Sequence, residues 1–126
     1  MNVDDVNIVY LSGPISGRPY YEYQDEFREW ETICENKGLV VLNPAKNPKG
    51  LTAADYMRIS LAQVEAADAI VLLPNWQNSK GAKIEKAYAE YIGKRVFFCK
   101  FASVDSTKER FWPLIEEAKD GGQQFD

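Results

Sequence analysis

Four short apolar runs, each separated from the next by a segment with helical spacing or loop composition, predict an α/β fold. Two further features shape that expectation. The second and third runs lack polar alternation, as strands covered on both faces do, and every run stops at a proline, glycine or polar loop. The 126 residues suit a single domain spanning 1–126, long enough for a layered core.

The first strand is Asn7 to Leu11, ended by Ser12-Gly13-Pro14. A polar, aromatic loop around Gly17 to Tyr21 leads into a helix over Tyr23 to Asn36, where Phe27, Trp30 and Ile33 or Cys34 share a stripe and Lys37-Gly38 supplies a stop. Leu39 to Leu42 is a second strand, expected to be buried and closed by Asn43-Pro44. Thr52-Ala-Ala-Asp55 is a capping-box variant opening a helix to about Ala67, with Met57, Leu61 and Val64 on one stripe. Asp68 to Leu73 is a third strand, Pro74 to Lys80 a loop, and Gly81 to Ile92 a helix ending at Gly93. Lys94 to Cys99 is the fourth strand. Lys108 to Lys119 is expected to be a last helix with Pro113 as its weak point, followed by a frayed tail over about 120–126. The order predicts a doubly wound, Rossmann- or flavodoxin-like parallel sheet of four to five strands with helices on both faces. Ligands in such sheets sit outside the carboxyl ends of the strands, here Ser12 to Gly17, Asn43 to Gly50 and Pro74 to Gly81.

Composition narrows the function. Hydrophobic residues at 45% and charged residues at 27% describe an ordinary globular chain, and a net charge of −4 gives no global attraction to duplex nucleic acid or anionic lipid. No apolar run approaches the ~20 residues of a membrane span, and Met1 to Asp5 lacks the regions of a signal peptide, so a cytoplasmic protein is expected. Cys34 and Cys99 suit buried thiols in a reducing compartment. The absence of histidine removes Ser-His-Asp and Cys-His catalysis and His-rich zinc sites, and no metal or cofactor is implied. Chemistry falls to carboxylates, hydroxyls and backbone.

Two loops hold candidate residues. Tyr10-Leu-Ser-Gly-Pro-Ile-Ser-Gly17 joins glycines that admit a ligand to the backbone with the hydroxyls of Ser12 and Ser16, although a plain tight turn explains the same residues. Pro74-Asn-Trp-Gln-Asn-Ser79-Lys-Gly81 places Trp76 and polar side chains at a strand's carboxyl end, with Glu85 just inside the next helix. There the macrodipole favours an ionised carboxylate, fit for a nucleophile or, equally, for a surface complement to the dipole. Glu85 has small or apolar helical neighbours in Gly81, Ala82, Ala89 and Ile92, whereas Glu90 is placed to pair with Lys86 on a wetter face. Trp76 suits base stacking or closure of an interface.

Together these residues resemble the nucleoside 2-deoxyribosyltransferase-like superfamily, including its deoxynucleoside 5'-monophosphate N-glycosidases and a small, often phage-encoded branch. The resemblance spans roughly Ile8 to Val96. It is carried by Tyr10 to Pro14, by Asn43-Pro44, by the helix leading to Ala67-Asp68-Ala-Ile-Val-Leu-Leu-Pro74, and by Trp76, Asn78, Ser79, Gly81 and Glu85. It implies that Glu85 attacks C1' of a 2-deoxyribose to form a glycosyl-enzyme, after which water or a second base takes the sugar. It further implies that Tyr10 hydrogen-bonds near the nucleophile, that Ser79 holds a 5'-phosphate, and that Gly13, Ser16 and Gly17 wrap the sugar-phosphate. The expected partner is a small-molecule nucleoside or nucleotide, and the expected assembly a homodimer or larger homo-oligomer.

The chain departs from the superfamily eight residues before Asp68, where an aspartate that assists the departing base is replaced by Ser60. A serine is no ordinary general acid at neutral pH, and Asp55 lies ~140° around the helix from it. Two readings follow: an N-glycosidase or transferase using Glu85, Tyr10 and Ser60, or a nucleotide-binding module without turnover, a sensor or sponge. A third is an unrelated doubly wound domain presenting Tyr20, Tyr21 and Trp76 to a protein partner.

Overall fold

The computed structural model describes residues 5–105 and 108–118. Its elements are β1 (Ile8–Ser12), α1 (Tyr20–Glu35), β2 (Val40–Leu42), α2 (Ala53–Ala66), β3 (Ala69–Leu72), α3 (Lys80–Tyr91), β4 (Arg95–Asp105) and β5 (Lys108–Glu117). They form one five-stranded sheet in the order β2-β1-β3-β4-β5. The first four strands are parallel, and β5 runs antiparallel to β4. From β1 the chain moves outward to β2 and then crosses back to β3. The sheet therefore has a topological switch point beside the carboxyl ends of β1 and β3, where ligands bind in this architecture.

Strand alternation divides the core. Val9, Leu11, Val71 and Phe97 meet Phe27, Trp30 and Cys34 of α1 on one face. Tyr10, Ile70, Leu72 and Val96 meet Val64 of α2 and Ala89 of α3 on the other. Cys34 and Cys99 are free and buried, and burial pushes the Cys34 thiol up to about 11. No helix among the described residues is long and apolar enough to cross a membrane.

Four expectations need correction. The segment from Lys108 is a strand, not a helix: inside a helix Pro113 would lose a hydrogen bond and clash with the preceding turn. On the sheet edge it sits opposite Phe101 at little cost. Ile115, 6% exposed, then joins the α1-side core. Lys119 and the tail 120–126 lie outside the described residues. β2 is the opposite edge strand rather than a buried one, and Val40 is 58% exposed. α1 begins at Tyr20, directly after Pro19, whose carbonyl accepts from the Glu22 and Tyr23 amides. Arg18 bonds Glu22 and Glu26 across this added turn. Finally, Glu90 does pair with Lys86, at 2.9 Å, but on a buried face, being only 5% exposed.

α2 begins as its sequence suggests, with the Thr52 hydroxyl accepting from the Asp55 amide. At its far end Asp68 fastens β1 to the sheet, its Oδ2 accepting from the amides of Asn7 and Ile8 at 2.9 and 2.8 Å. These two bonds hold the Asp68 carboxyl below its ordinary value. A depressed carboxylate contributes stability above its unfolded pKa of about 3.9, and that contribution is lost as pH falls through the lower folded value. Asp68→Ala is therefore expected to lower the urea midpoint at pH 7, with the gap to the natural protein closing in acid. A gap that persists unchanged in acid would show that the carboxylate charge is not what holds β1.

Candidate functional site

The carboxyl ends of β1, β2 and β3 and the first turns of α2 and α3 line a cavity of about 920 Å³. Alternation along β1 points both Tyr10 and Ser12 to the face covered by α3, and the second turn of α3 brings Glu85 to them. The Tyr10 hydroxyl donates to Glu85 Oε2 at 3.1 Å, and the Ser12 hydroxyl donates to Oε1 at 2.6 Å. Residues 73 and 75 positions apart in the chain thus hold both oxygens of one carboxylate.

Glu85 is 7% exposed and Tyr10 only 1%. Burial pushes the Glu85 carboxyl above its ordinary value, and hydrogen bonds from Ser12, Tyr10 and Ser60 pull it partway back. Burial, and then the Glu85 charge, hold the Tyr10 phenol well above its own, so it remains a protonated donor. Ser60, from α2, is 5% exposed, lines the same cavity and lowers the pKa of both groups. The surface reading of Glu85 is excluded by this burial. Glu85 also stands beyond the first turn, where the helix dipole acts most, so the hydroxyls and not the helix terminus dress the carboxylate.

The structure gathers Tyr10, Gly13, Ser16, Gly17, Ser60, Asn78, Ser79, Gly81 and Glu85 around the cavity. Ser79 also caps α3, its Oγ accepting from the Ala82 amide at 3.1 Å, which leaves its own hydroxyl proton available. Three sequence candidates do not line the cavity. Ser12 is fully buried and reaches Glu85 instead. Asn43 is spent on structure: its Oδ1 caps the short turn Pro44–Lys46 through the Ala45 amide, and its Nδ2 donates to Glu31. Trp76 is partly buried and packs on Phe98, ring centroids 5.8 Å apart, against the core cluster that α2 and α3 form with the sheet. Arg18, Asn47, Lys49, Tyr56 and Lys80 line the cavity without having been named as site residues from the sequence, as does Met57, which was placed only on the apolar stripe of α2. Their signal was positional: apart from the α2 residues Tyr56 and Met57, they lie in or next to the strand-end loops.

Gly13 is required where it stands. A Cβ there would lie 2.9 Å from the Leu73 Cβ, an atom fixed to the backbone. Gly13→Ala is expected to cost about 1–3 kcal/mol of stability by overpacking and to displace the loop that walls the cavity. Chemical denaturation checks this, and an unchanged midpoint would refute the close approach. At Gly81 a Cβ would meet nothing nearer than Met57 Cε at 3.7 Å, so packing does not demand glycine there. Its missing side chain leaves cavity volume beside Glu85.

The fold and the site together define a doubly wound α/β protein with a cavity at the strand ends, set against a buried, hydroxyl-dressed carboxylate. The chain belongs to the family described as Domain of unknown function (DUF4406), which matches residues 7–98. No curated protein matches the sequence. Among solved structures, the fold is similar to that of the 2-desoxiribosyltransferase from Leishmania mexicana, with a TM-score of 0.60 at 21% identity. The match covers 73% of this chain and 63% of that one, so this chain spans less than two thirds of that protein's length. The likeness is one of fold, and it agrees with the superfamily resemblance carried by the motifs from Tyr10 to Glu85.

Proposed function

We propose that this protein cleaves or transfers the N-glycosidic bond of a 2-deoxynucleoside or its 5'-monophosphate, with Glu85 as nucleophile. The observation that carries the reading is a carboxylate 7% exposed at a cavity wall, with each oxygen oriented by a hydroxyl donor. Burial strips water from the carboxylate, and the two hydroxyls hold it in one orientation. In the first step a Glu85 oxygen bonds to C1' as the C1'–N bond breaks, and the electron pair leaves with the base, which takes up a proton. In the second, water or another base bonds to C1', and the Glu85 carboxylate is released. Its resemblance to the 2-deoxyribosyltransferase fold supports the sugar, and the cavity's size suits a ligand of this class. Ser79, Lys80 and the N-terminal end of α3 offer an anion site for a 5'-phosphate.

A specific feature favours the second reading, a nucleotide binder without turnover. Among the described residues lining the cavity, Glu85 is the one carboxylate, so no second carboxyl stands ready to protonate the base. Self-association belongs to either reading, and Ile84 and Tyr91 of α3, 50% and 83% exposed, supply apolar surface for it. A cytoplasmic setting belongs to both as well.

The test is incubation with a panel of deoxynucleosides and their monophosphates, with free base followed by chromatography. Base release that vanishes in Glu85→Ala is the expected result. Nucleotides that raise the melting temperature without any base release would establish the binder instead.

A further inference from the structure

Breaking the bond between C1' and a neutral base calls for a proton as well as a nucleophile, because the electron pair of that bond otherwise leaves on an anion. The cavity wall is poorly furnished for this. Glu85 is its one carboxylate among the described residues, and a carboxylate that bonds to C1' has no proton to give. Burial and the Glu85 charge keep the proton on Tyr10, which donates it in a hydrogen bond to Glu85. Ser60 brings a hydroxyl to the wall. Hydroxyls, like ammonium and guanidinium groups, are poorly matched to proton delivery near neutral pH.

The same carboxylate has no countercharge. Its hydrogen-bond partners are the Tyr10 and Ser12 hydroxyls, and no lysine or arginine among the described residues pairs with it. Buried charges are ordinarily paired, so Glu85, 7% exposed at the cavity wall, is suited to a ligand that brings a cation. The cations on that wall are placed otherwise. Arg18 pairs with Glu22 and Glu26, Lys49 Nζ lies 3.5 Å from the centre of the Tyr20 ring, and Lys80 begins α3. Tyr23 and Tyr56 also line the cavity, and tyrosine rings attract cations.

Resting on the proposed function, we infer that the substrate is a 2-deoxynucleotide whose base already carries a positive charge on the ring bonded to C1', as an N7-alkylated purine does, with Glu85 as its countercharge. In the first step a Glu85 oxygen bonds to C1' as the C1'–N bond breaks. The electron pair of that bond neutralises the ring, so the base departs uncharged and takes up no proton. In the second step water bonds to C1', the bond from C1' to Glu85 breaks, and a proton of the water passes to solvent.

The experiment compares deoxyguanosine monophosphate with its N7-methylated form, which carries a positive charge on its imidazole ring. Binding is measured by calorimetry in the cold and base release by chromatography, with uncatalysed release subtracted. The natural protein is set beside Glu85→Ala and Ser60→Asp, and melting curves verify folding. The natural protein is expected to bind the methylated nucleotide roughly 10-fold or more tighter and to release its base with a kcat/KM roughly 100-fold or more higher. Glu85→Ala loses both preferences. Ser60→Asp gains most on the unmethylated nucleotide, whose base needs the proton, so the ratio of rates narrows. If the natural protein binds the methylated nucleotide more tightly but releases no base, the catalytic reading falls and the ligand class stands. Release from both nucleotides with similar kcat/KM overturns the inference and leaves the catalytic reading intact. No binding of either nucleotide by the folded natural protein overturns both.

Discussion

Glu85→Gln is expected to abolish base release and, at the same time, to raise the melting temperature at neutral pH. The two effects share one cause. The natural carboxyl is only 7% exposed, and burial pushes its pKa above the ordinary 4.5. For a group raised in this way, the stability associated with the neutral form is fully present below the unfolded pKa. It is lost as pH climbs through the raised folded value. Glutamine keeps the shape and can still take part in hydrogen bonds with Tyr10 and Ser12, yet carries no charge to desolvate. The melting temperature of Glu85→Gln should therefore exceed that of the natural protein by a margin that widens as pH rises from 4 to 8, upward from the ordinary glutamate value. Turnover should fall about 10⁴-fold or more, as when other covalent nucleophiles are removed. Any base release by the natural protein should itself fall in acid as Glu85 takes a proton. A variant that retains turnover would sink the nucleophile assignment, and one that melts lower at every pH would show that the charge is better solvated than its burial implies.

Ser60→Asp is expected to act in the opposite sense, raising the rate of base release by about 100-fold or more, within the range of general-acid catalysis. Ser60 lines the same cavity as Glu85 and Tyr10 and lowers the pKa of each, at the position where the superfamily resemblance places an aspartate. Two carboxyls so close in a buried site cannot both ionise readily, so one retains its proton and can deliver it to the departing base. The pH–rate profile should turn bell-shaped, with an alkaline limb where that shared proton is lost. The cost is a second buried carboxyl, which should lower the melting temperature at pH 8 more than at pH 5. Unchanged kinetics in a folded Ser60→Asp protein would mean that the leaving group needs no acid from this side of the cavity. Activity present only in the variant would identify the natural protein as a binder with an inherited pocket.

Local signals were enough for most of the fold. The apolar runs of β1 and β3, the stripe of Phe27 and Trp30, and the Thr52 cap each depend on neighbours a few residues away, and each stands where the chain predicts it. Errors gathered where an element's environment lies far off in sequence. β2 and β3 look alike as apolar runs, and their burial differs only because β2 has one neighbouring strand and β3 has two. The segment around Pro113 carries a proline that breaks helices, yet its strand identity depends on pairing with β4, through contacts such as Cys99 opposite Ile115.

The site divides in the same way. Residue order alone marked the strand-end loops, the hydroxyls at Ser16 and Ser79, the glycines that open the backbone and the carboxylate at Glu85, because carboxyl-end placement follows from alternation of strand and helix. Whether a loop side chain faces the ligand or the core is not a local property. Trp76 went to Phe98, Asn43 to Glu31 and Ser12 to Glu85, while Arg18 and Lys49 line the cavity. The sequence by itself determined the α/β order, the strand-end location of the cavity and the availability of a carboxylate without histidine. Only the tertiary structure decided that this carboxylate is buried, which hydroxyls orient it and which way its pKa moves. Desolvation and hydrogen-bond geometry at Glu85 are set by Tyr10, Ser12 and Ser60, residues on other elements that the sheet and its crossovers bring together.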